Sequence, residues 1–183
     1  MTRRLRAFAR IPPSVLRPLV LQWLLRRTAD AVGVPRPSLK WISSAGLLPE
    51  HAAFSTAQSV FAARRRGDID AVRRALWASA RRAGTCLRSA LGIRTTADAM
   101  AAAHAIYRLI GIDLWGSSAG NVSVARCSFA PTYSPEVCSV MSSLDAGLFA
   151  GLTGGGRLTF TRRITEGAPA CTALLMSSEG VTA

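Results

Sequence analysis

The chain has 183 residues, of which 49% are hydrophobic, enough for one domain with a buried core and too many for a disordered protein. Its net charge is +13, yet the segment after Arg108 holds 4 basic and 5 acidic residues, so the basic character belongs to the N-terminal part. All but one of the 23 basic residues are arginine, and no nucleic-acid recognition module accompanies them, so nucleic-acid binding is not expected.

The first predicted element is a short amphipathic helix in residues 1–27, following the pair Pro12-Pro13. Arginine is mixed there with leucine, valine and Trp23. Two interpretations fit: a helix packed on the body of the protein, or an arm that docks on a membrane surface or a partner protein. The apolar run of residues 15–25 is too short to span a bilayer and has no cleavage site, so we expect a cytoplasmic protein with reduced thiols.

Prolines and glycine in residues 33–50 indicate a loop or linker. The chain is therefore predicted to consist of a basic N-terminal arm with this linker, residues 1–50, and a main domain, residues 51–183. The main domain combines helices with a cysteine-bearing α+β unit.

Three helices are predicted next, over residues 50–66, 68–91 and 95–110, because each ends at a glycine and the second begins at a plausible N-cap aspartate. Cys86 lies within the second helix and is predicted to be a small core residue.

Beyond Gly111 the periodicity changes. Alternation predicts a strand over 121–129, and Ser134 followed by proline predicts a helix start. This helix is predicted to run to about Phe149 and to be ended by the glycines of residues 151–156. A hairpin of strands is predicted over 157–165 and 170–176. The fold class is therefore α+β: N-terminal helices followed by a small antiparallel sheet with one inserted helix.

Three cysteines of this unit lie on different elements and could converge in space: Cys127 near a strand end, Cys138 in a first helical turn and Cys171 at the start of a strand. They are either small buried residues or members of one site, as nucleophile or as ligands for a metal such as zinc or iron. No Cys-x-x-Cys pair or local zinc spacing is present. The helix macrodipole would favour the thiolate of Cys138.

Two carboxylates and a histidine are the other candidates. Asp145 lies two turns after Cys138 on the same helix face and could act as a general base or an oxygen ligand. Glu136 could serve the same roles but faces elsewhere unless the first turn is irregular. His104, on an alanine-rich helix, is either a core residue or a substrate-binding group.

Taken together, residues 126–175 resemble the L-2-amino-thiazoline-4-carboxylic acid hydrolase family. The resemblance is carried by the runs Arg126-Cys-Ser-Phe, Ser134-Pro-Glu-Val-Cys, Leu144-Asp-Ala-Gly, Leu158-Thr-Phe-Thr-Arg-Arg-Ile-Thr-Glu-Gly and Cys171-Thr-Ala. It implies hydrolytic opening of a small cyclic, thiazoline-like carboxylate at a carbon–nitrogen bond. The implied catalytic residues are Cys127, Glu136, Cys138, Asp145 and Cys171. Ser142 stands where the family often has a cysteine, which weakens the case for a full metal cluster.

The same arrangement is similar to vinyl-reductase-type small-molecule-binding domains and, more distantly, to plant carotene isomerases. Two hypotheses follow. In the first, the protein is an enzyme in which Cys138 is nucleophile or metal ligand, a carboxylate exchanges protons, and Arg162 or Arg163 holds the substrate carboxylate. Strand alternation allows only one of these arginines to reach a common pocket. In the second, the protein is a non-catalytic module that binds a small molecule or a metal.

Overall fold

The computed structural model describes residues 1–36 and 48–176. Within these residues the chain forms six α-helices and four strands, which confirms the predicted α+β class. The helices are α1 (Arg3–Ala9), α2 (Pro13–Val32), α3 (Pro49–Arg66), α4 (Ile69–Leu91), α5 (Thr96–Leu109) and α6 (Pro135–Thr153). The strands are β1 (Ile112–Gly116), β2 (Asn121–Cys127), β3 (Arg157–Arg162) and β4 (Cys171–Met176).

The strands form one antiparallel sheet in the order β1-β2-β4-β3. The predicted hairpin is β3 with β4, and β4 lies between β3 and β2. The predicted strand over 157–165 ends earlier, at Arg162, and a short 3-10 helix occupies Ile164–Glu166. The sequence did not predict β1, a five-residue strand that pairs with β2 at one edge of the sheet.

Helix α6 begins where the sequence predicts and ends later. The Ser134 hydroxyl accepts a hydrogen bond from the Val137 amide at 3.2 Å, and Pro135 takes the first helical position. The helix continues past Gly151 and ends at Gly154, whose backbone is left-handed with φ of 80°. A side chain at Gly151 would collide with the backbone of α4, so this glycine serves close helix packing.

Both N-terminal helices contribute to the cores of the protein. Leu5 of α1 lies in the cluster that joins α5 and α6 to the sheet. Leu21 of α2 lies in a second cluster with Val60 of α3 and Leu76 of α4, and both leucines of the N-terminal helices are completely buried. Helices α1 and α2 are therefore packed on the body of the protein, the first of the two interpretations of this segment. Their buried side chains belong to the same cores as those of the predicted main domain.

Part of the predicted linker, residues 37–47, lies outside the described residues, as do residues 177–183. The prediction for Cys86 was wrong, because this residue is exposed on α4. The buried face in the second half of α4 passes through Gly84 and Leu91, and Cys86 lies off that face.

Candidate functional site

A cavity of about 390 Å³ lies between the N-terminal helices and the C-terminal unit. Most of its wall is aliphatic or aromatic and comes from α1, α2, α4, α5 and α6. Helix α2 lines it with five side chains, namely Leu16, Leu19, Val20, Trp23 and Leu24. These positions follow the three- and four-residue spacing that places side chains along one side of a helix.

The polar side chains of the cavity wall come mainly from the C-terminal unit. Cys127, Cys138 and Cys171 all line the cavity, so the three elements that carry them converge as the sequence suggested they could. Cys127 is at the end of β2, Cys138 is in the first turn of α6 and Cys171 begins β4. All three are free thiols.

The thiols are held in their neutral form. Burial raises the pKa of Cys127 to about 11. Burial also raises the pKa of Cys138 and that of Cys171, and the nearby Asp145 carboxylate adds to both shifts.

Burial therefore opposes the thiolate that the helix position predicts at Cys138. The backbone amide of Cys138 already donates to the Ser134 carbonyl at 2.9 Å, so it is not among the free amides of the helix N-terminus. The loss of water around the buried sulfur outweighs the remaining effect of the macrodipole.

Asp145 is the half-buried acidic group on the cavity wall. The Tyr107 hydroxyl donates a hydrogen bond to its Oδ1 atom. Burial raises the pKa of Asp145 to about 6, although the Tyr107 hydrogen bond and the Arg163 guanidinium act in the opposite direction. Burial and the Asp145 charge also raise the pKa of Tyr107 well above its ordinary value, so Tyr107 remains a donor.

Arg163 does not line the cavity, but its positive charge acts on Cys138, Cys171 and Asp145. It lowers the pKa of Asp145, Cys138 and Cys171, which places its positive charge close to all three. Its Nη1 atom contacts Glu166 Oε1 at 3.3 Å. Its buried Nε atom has no hydrogen-bond partner among residues 1–36 and 48–176. The Thr165 hydroxyl, on the cavity wall, lies beside the Cys138 thiol and partly offsets the rise in the pKa of that thiol.

Three predicted site residues lie away from the cavity. Glu136 is partly exposed and forms an ion pair with Arg64 of α3, because the second position of α6 faces that helix. His104 lies within 2.7 Å of the Leu114 carbonyl through Nδ1, and its ring stacks at a tilt on Trp115. Arg162, the last residue of β3, is exposed, whereas Arg163, which precedes the 3-10 helix, is half-buried.

A metal site at Cys127, Cys138 and Cys171 does not fit the geometry. No group of three or more His, Cys, Asp or Glu side chains in the described parts of the chain is arranged to hold a metal ion. The described residues therefore give no support to zinc or iron on these three cysteines.

The sequence did not identify Tyr107, Tyr133 or Thr165 as site residues, although all three line the cavity. Tyr107 precedes Asp145 by 38 positions, so no local spacing connects the two. Tyr133 shares a hydrogen bond of 2.6 Å with Thr56 of α3, again a distant partner. For Tyr107 the sequence offers one indication, a tyrosine on the apolar face of a helix. Ordinary core tyrosines show the same pattern, so it does not identify a site residue.

Comparisons with known proteins identify no relative of this chain from which the role of the site could be inferred. The chain matches no protein-family model, no curated protein and no solved structure at a significant level.

Proposed function

We propose that this protein binds a small molecule with an apolar body and one polar group, which the cavity encloses. The observation that carries the proposal is a predominantly apolar cavity of about 390 Å³ in which Asp145, Tyr107 and three thiols supply polar contacts. Binding sites for small organic molecules typically have volumes of roughly 300–1,000 Å³ and a few convergent polar groups on apolar walls.

The polar group of the ligand is a hydrogen-bond donor. Within the described residues Tyr107 is the hydrogen-bonding partner of Asp145, and it uses Oδ1. Oδ2 can therefore accept a hydrogen bond from a ligand hydroxyl, amine or amidine. Such a bond between a ligand donor and a carboxylate inside an apolar cavity is stronger than the same bond in water. The ligand body would lie against α2.

Binding without covalent chemistry is favoured because the thiols are neutral. A nucleophilic cysteine requires a lowered pKa, whereas burial raises the pKa of all three cavity cysteines. The likeness to vinyl-reductase-type ligand-binding domains supports the same function. Free thiols suit a reducing compartment, so we place the protein in the cytoplasm.

A second candidate function is hydrolysis, and one observation favours it. The pKa of Asp145, about 6, suits a group that accepts and donates protons near neutral pH. Following the family resemblance, the substrate would be a thiazoline-like carboxylate. Asp145 would take a proton from the attacking water and deliver one to the ring nitrogen as the carbon–nitrogen bond breaks. Arg163 would attract the substrate carboxylate.

The binding proposal is tested with N-phenylnaphthylamine, an apolar dye with one N–H donor whose fluorescence rises in apolar surroundings. Ala83→Phe fills the cavity from α4, whereas Ala75→Phe adds the same ring on an exposed position of that helix. We expect the dye to bind the wild type and Ala75→Phe, and to lose at least about tenfold in affinity for Ala83→Phe. Equal affinity for both variants would place the dye elsewhere and contradict the proposal.

The two candidate functions are separated by incubating the protein with 2-amino-thiazoline-4-carboxylate and following the mass of the compound. Hydrolytic ring opening adds one water molecule, and Asp145→Asn should abolish that gain. If the mass is unchanged while the dye binds, the protein binds small molecules without hydrolysing this substrate.

A further inference from the structure

The cavity opens on the outer side of α2. Leu19 lines the cavity and is nevertheless 61% exposed, so the cavity reaches the surface at this residue. One turn earlier, Val15 is 59% exposed. Two aliphatic side chains thus stand in solvent at the mouth of an apolar cavity. The opposite side of α2 is buried through Leu21 and Leu25, so the exposed stripe is available to a partner.

The segment that forms α1 and most of α2 is rich in arginine and contains no acidic residue up to Arg27. Residues 1–27 contain seven arginines and no Asp or Glu. Arg3, Arg6 and Arg10 of the α1 region are exposed. On α2, Arg26 follows Val15 by eleven positions, or about three turns, and therefore lies on the same stripe as Val15 and Leu19. Arg17 is not counted among these exposed arginines, because its Nε donates a hydrogen bond to the Leu109 carbonyl at 2.9 Å.

We infer that the exposed face of α1 and α2 docks on the surface of an anionic lipid bilayer. The arginines meet the lipid phosphates and carboxylates, and Val15 and Leu19 enter the boundary of the acyl chains. The cavity mouth then faces the lipid, so an apolar ligand can pass between bilayer and cavity without crossing water. This transfer rests on the proposed binding function, whereas the docking itself does not.

A bilayer fits this face better than another partner because it offers both anionic groups and an apolar layer. A nucleic acid would satisfy the arginines and leave Val15 and Leu19 without an apolar environment. The contact is peripheral, since no helix in the described part of the chain combines the length and apolar character needed to cross a membrane.

Docking is tested by sedimentation of the full chain with vesicles of phosphatidylcholine alone and of phosphatidylcholine mixed with phosphatidylserine. We expect binding to the mixed vesicles only, and a steep loss of binding as salt rises. Each arginine near an anionic bilayer strengthens binding about fivefold, so Arg3→Gln with Arg6→Gln should weaken it about thirtyfold. Val15→Asp should weaken it further without touching the cavity wall.

Two control variants carry the same chemical changes elsewhere. Arg65→Gln with Arg74→Gln removes two exposed arginines from α3 and α4, and Met176→Asp replaces an exposed apolar side chain of β4. We expect each control to weaken vesicle binding less than fivefold. Thermal unfolding by circular dichroism confirms that every variant is folded before it is compared.

Several results would overturn the docking proposal. These are no binding of the wild type to mixed vesicles, equal losses in the control and test pairs, or binding through α1 to polyglutamate but not to vesicles. Dye binding in vesicle-free buffer is measured in parallel. If the dye binds while the vesicles do not, docking fails and the proposed binding function stands.

Discussion

The N-terminal helices and the C-terminal unit contribute to the cavity in opposite ways. Helix α2 supplies an apolar wall, whereas α6 and β4 supply Cys138, Asp145 and Cys171. In the sequence the first region looks like a charged attachment and the second like a self-contained site. The cavity requires both, because a ligand held by Asp145 alone would remain in water.

If the cavity binds a small molecule as proposed, this difference divides apolar binding energy and polar recognition between two parts of the chain. Enclosing an apolar body yields roughly 25 cal/mol per Å² of buried surface, so α2 can supply much of the affinity. Asp145 and Tyr107 contribute fewer contacts but constrain where a donor group must lie. Substitutions in α2, at Asp145 and at the cysteines test this division, in order of decreasing effect.

The largest effect is expected from Leu21→Ala, which removes a completely buried side chain of α2. We expect the free energy of unfolding to fall by about 2–5 kcal/mol, because the cavity left behind also removes packing with α3 and α4. Urea denaturation measures this change. Leu19→Ala is the matched control, and its exposed position predicts a loss below about 1 kcal/mol. A decrease in the free energy of unfolding as small as that of Leu19→Ala would mean that α2 is not part of the core that holds the fold together.

A smaller, pH-dependent effect is expected at Asp145. Its pKa is about 6 in the folded protein and 3.8 in an unperturbed carboxyl, so the folded state binds the proton more tightly. The stabilising contribution is complete below about pH 4 and is lost as the pH rises through about 6, by up to about 3 kcal/mol. Asp145→Asn removes this dependence. We therefore expect the variant to equal the wild type near pH 4 and to exceed it in stability above pH 6.

Denaturation of both proteins across this pH range gives the difference directly, and the other titrating groups cancel in the comparison. Stability curves that run parallel for wild type and variant would show that the pKa of Asp145 is not raised in the folded protein. Dye affinity should fall in Asp145→Asn at neutral pH even though the fold is more stable, because the amide is a weaker acceptor.

Local chemistry explains which parts of the fold the sequence predicted. The glycines after α3 and α4 and the pair Ser134-Pro135 mark helix ends through backbone conformation and capping, which depend on few neighbours. Strand β1 was missed because five residues carry too short a pattern. The Tyr107–Asp145 bond and the cavity wall of α2 were missed because packing of distant segments creates them. For Cys138 the local argument from the macrodipole was outweighed by burial, a property of the whole fold.

The smallest effect concerns the cysteines, whose rates of alkylation are expected to differ while the fold stays the same. Cys86 is exposed on α4, whereas Cys127, Cys138 and Cys171 line the cavity. Raising the pKa of Cys127 from 9.0 to about 11 lowers its thiolate fraction about a hundredfold, and alkylation proceeds through the thiolate. With iodoacetamide near neutral pH, we expect Cys86 to be modified first and Cys127 about a hundredfold more slowly. Cys138 and Cys171, whose pKa values are also raised, should react more slowly than Cys86 as well.

Peptide mass mapping over time identifies each modified cysteine, and Cys86→Ser leaves the cavity thiols as the remaining targets. N-phenylnaphthylamine should slow the alkylation of the cavity cysteines further and leave that of Cys86 unchanged in the wild type, since the dye occupies the cavity. Rapid alkylation of Cys138 well below pH 8.5 would instead support the prediction that the helix N-terminus stabilises its thiolate. In that case the cysteine would be reactive enough for covalent catalysis, and hydrolysis would become the better proposal for this site.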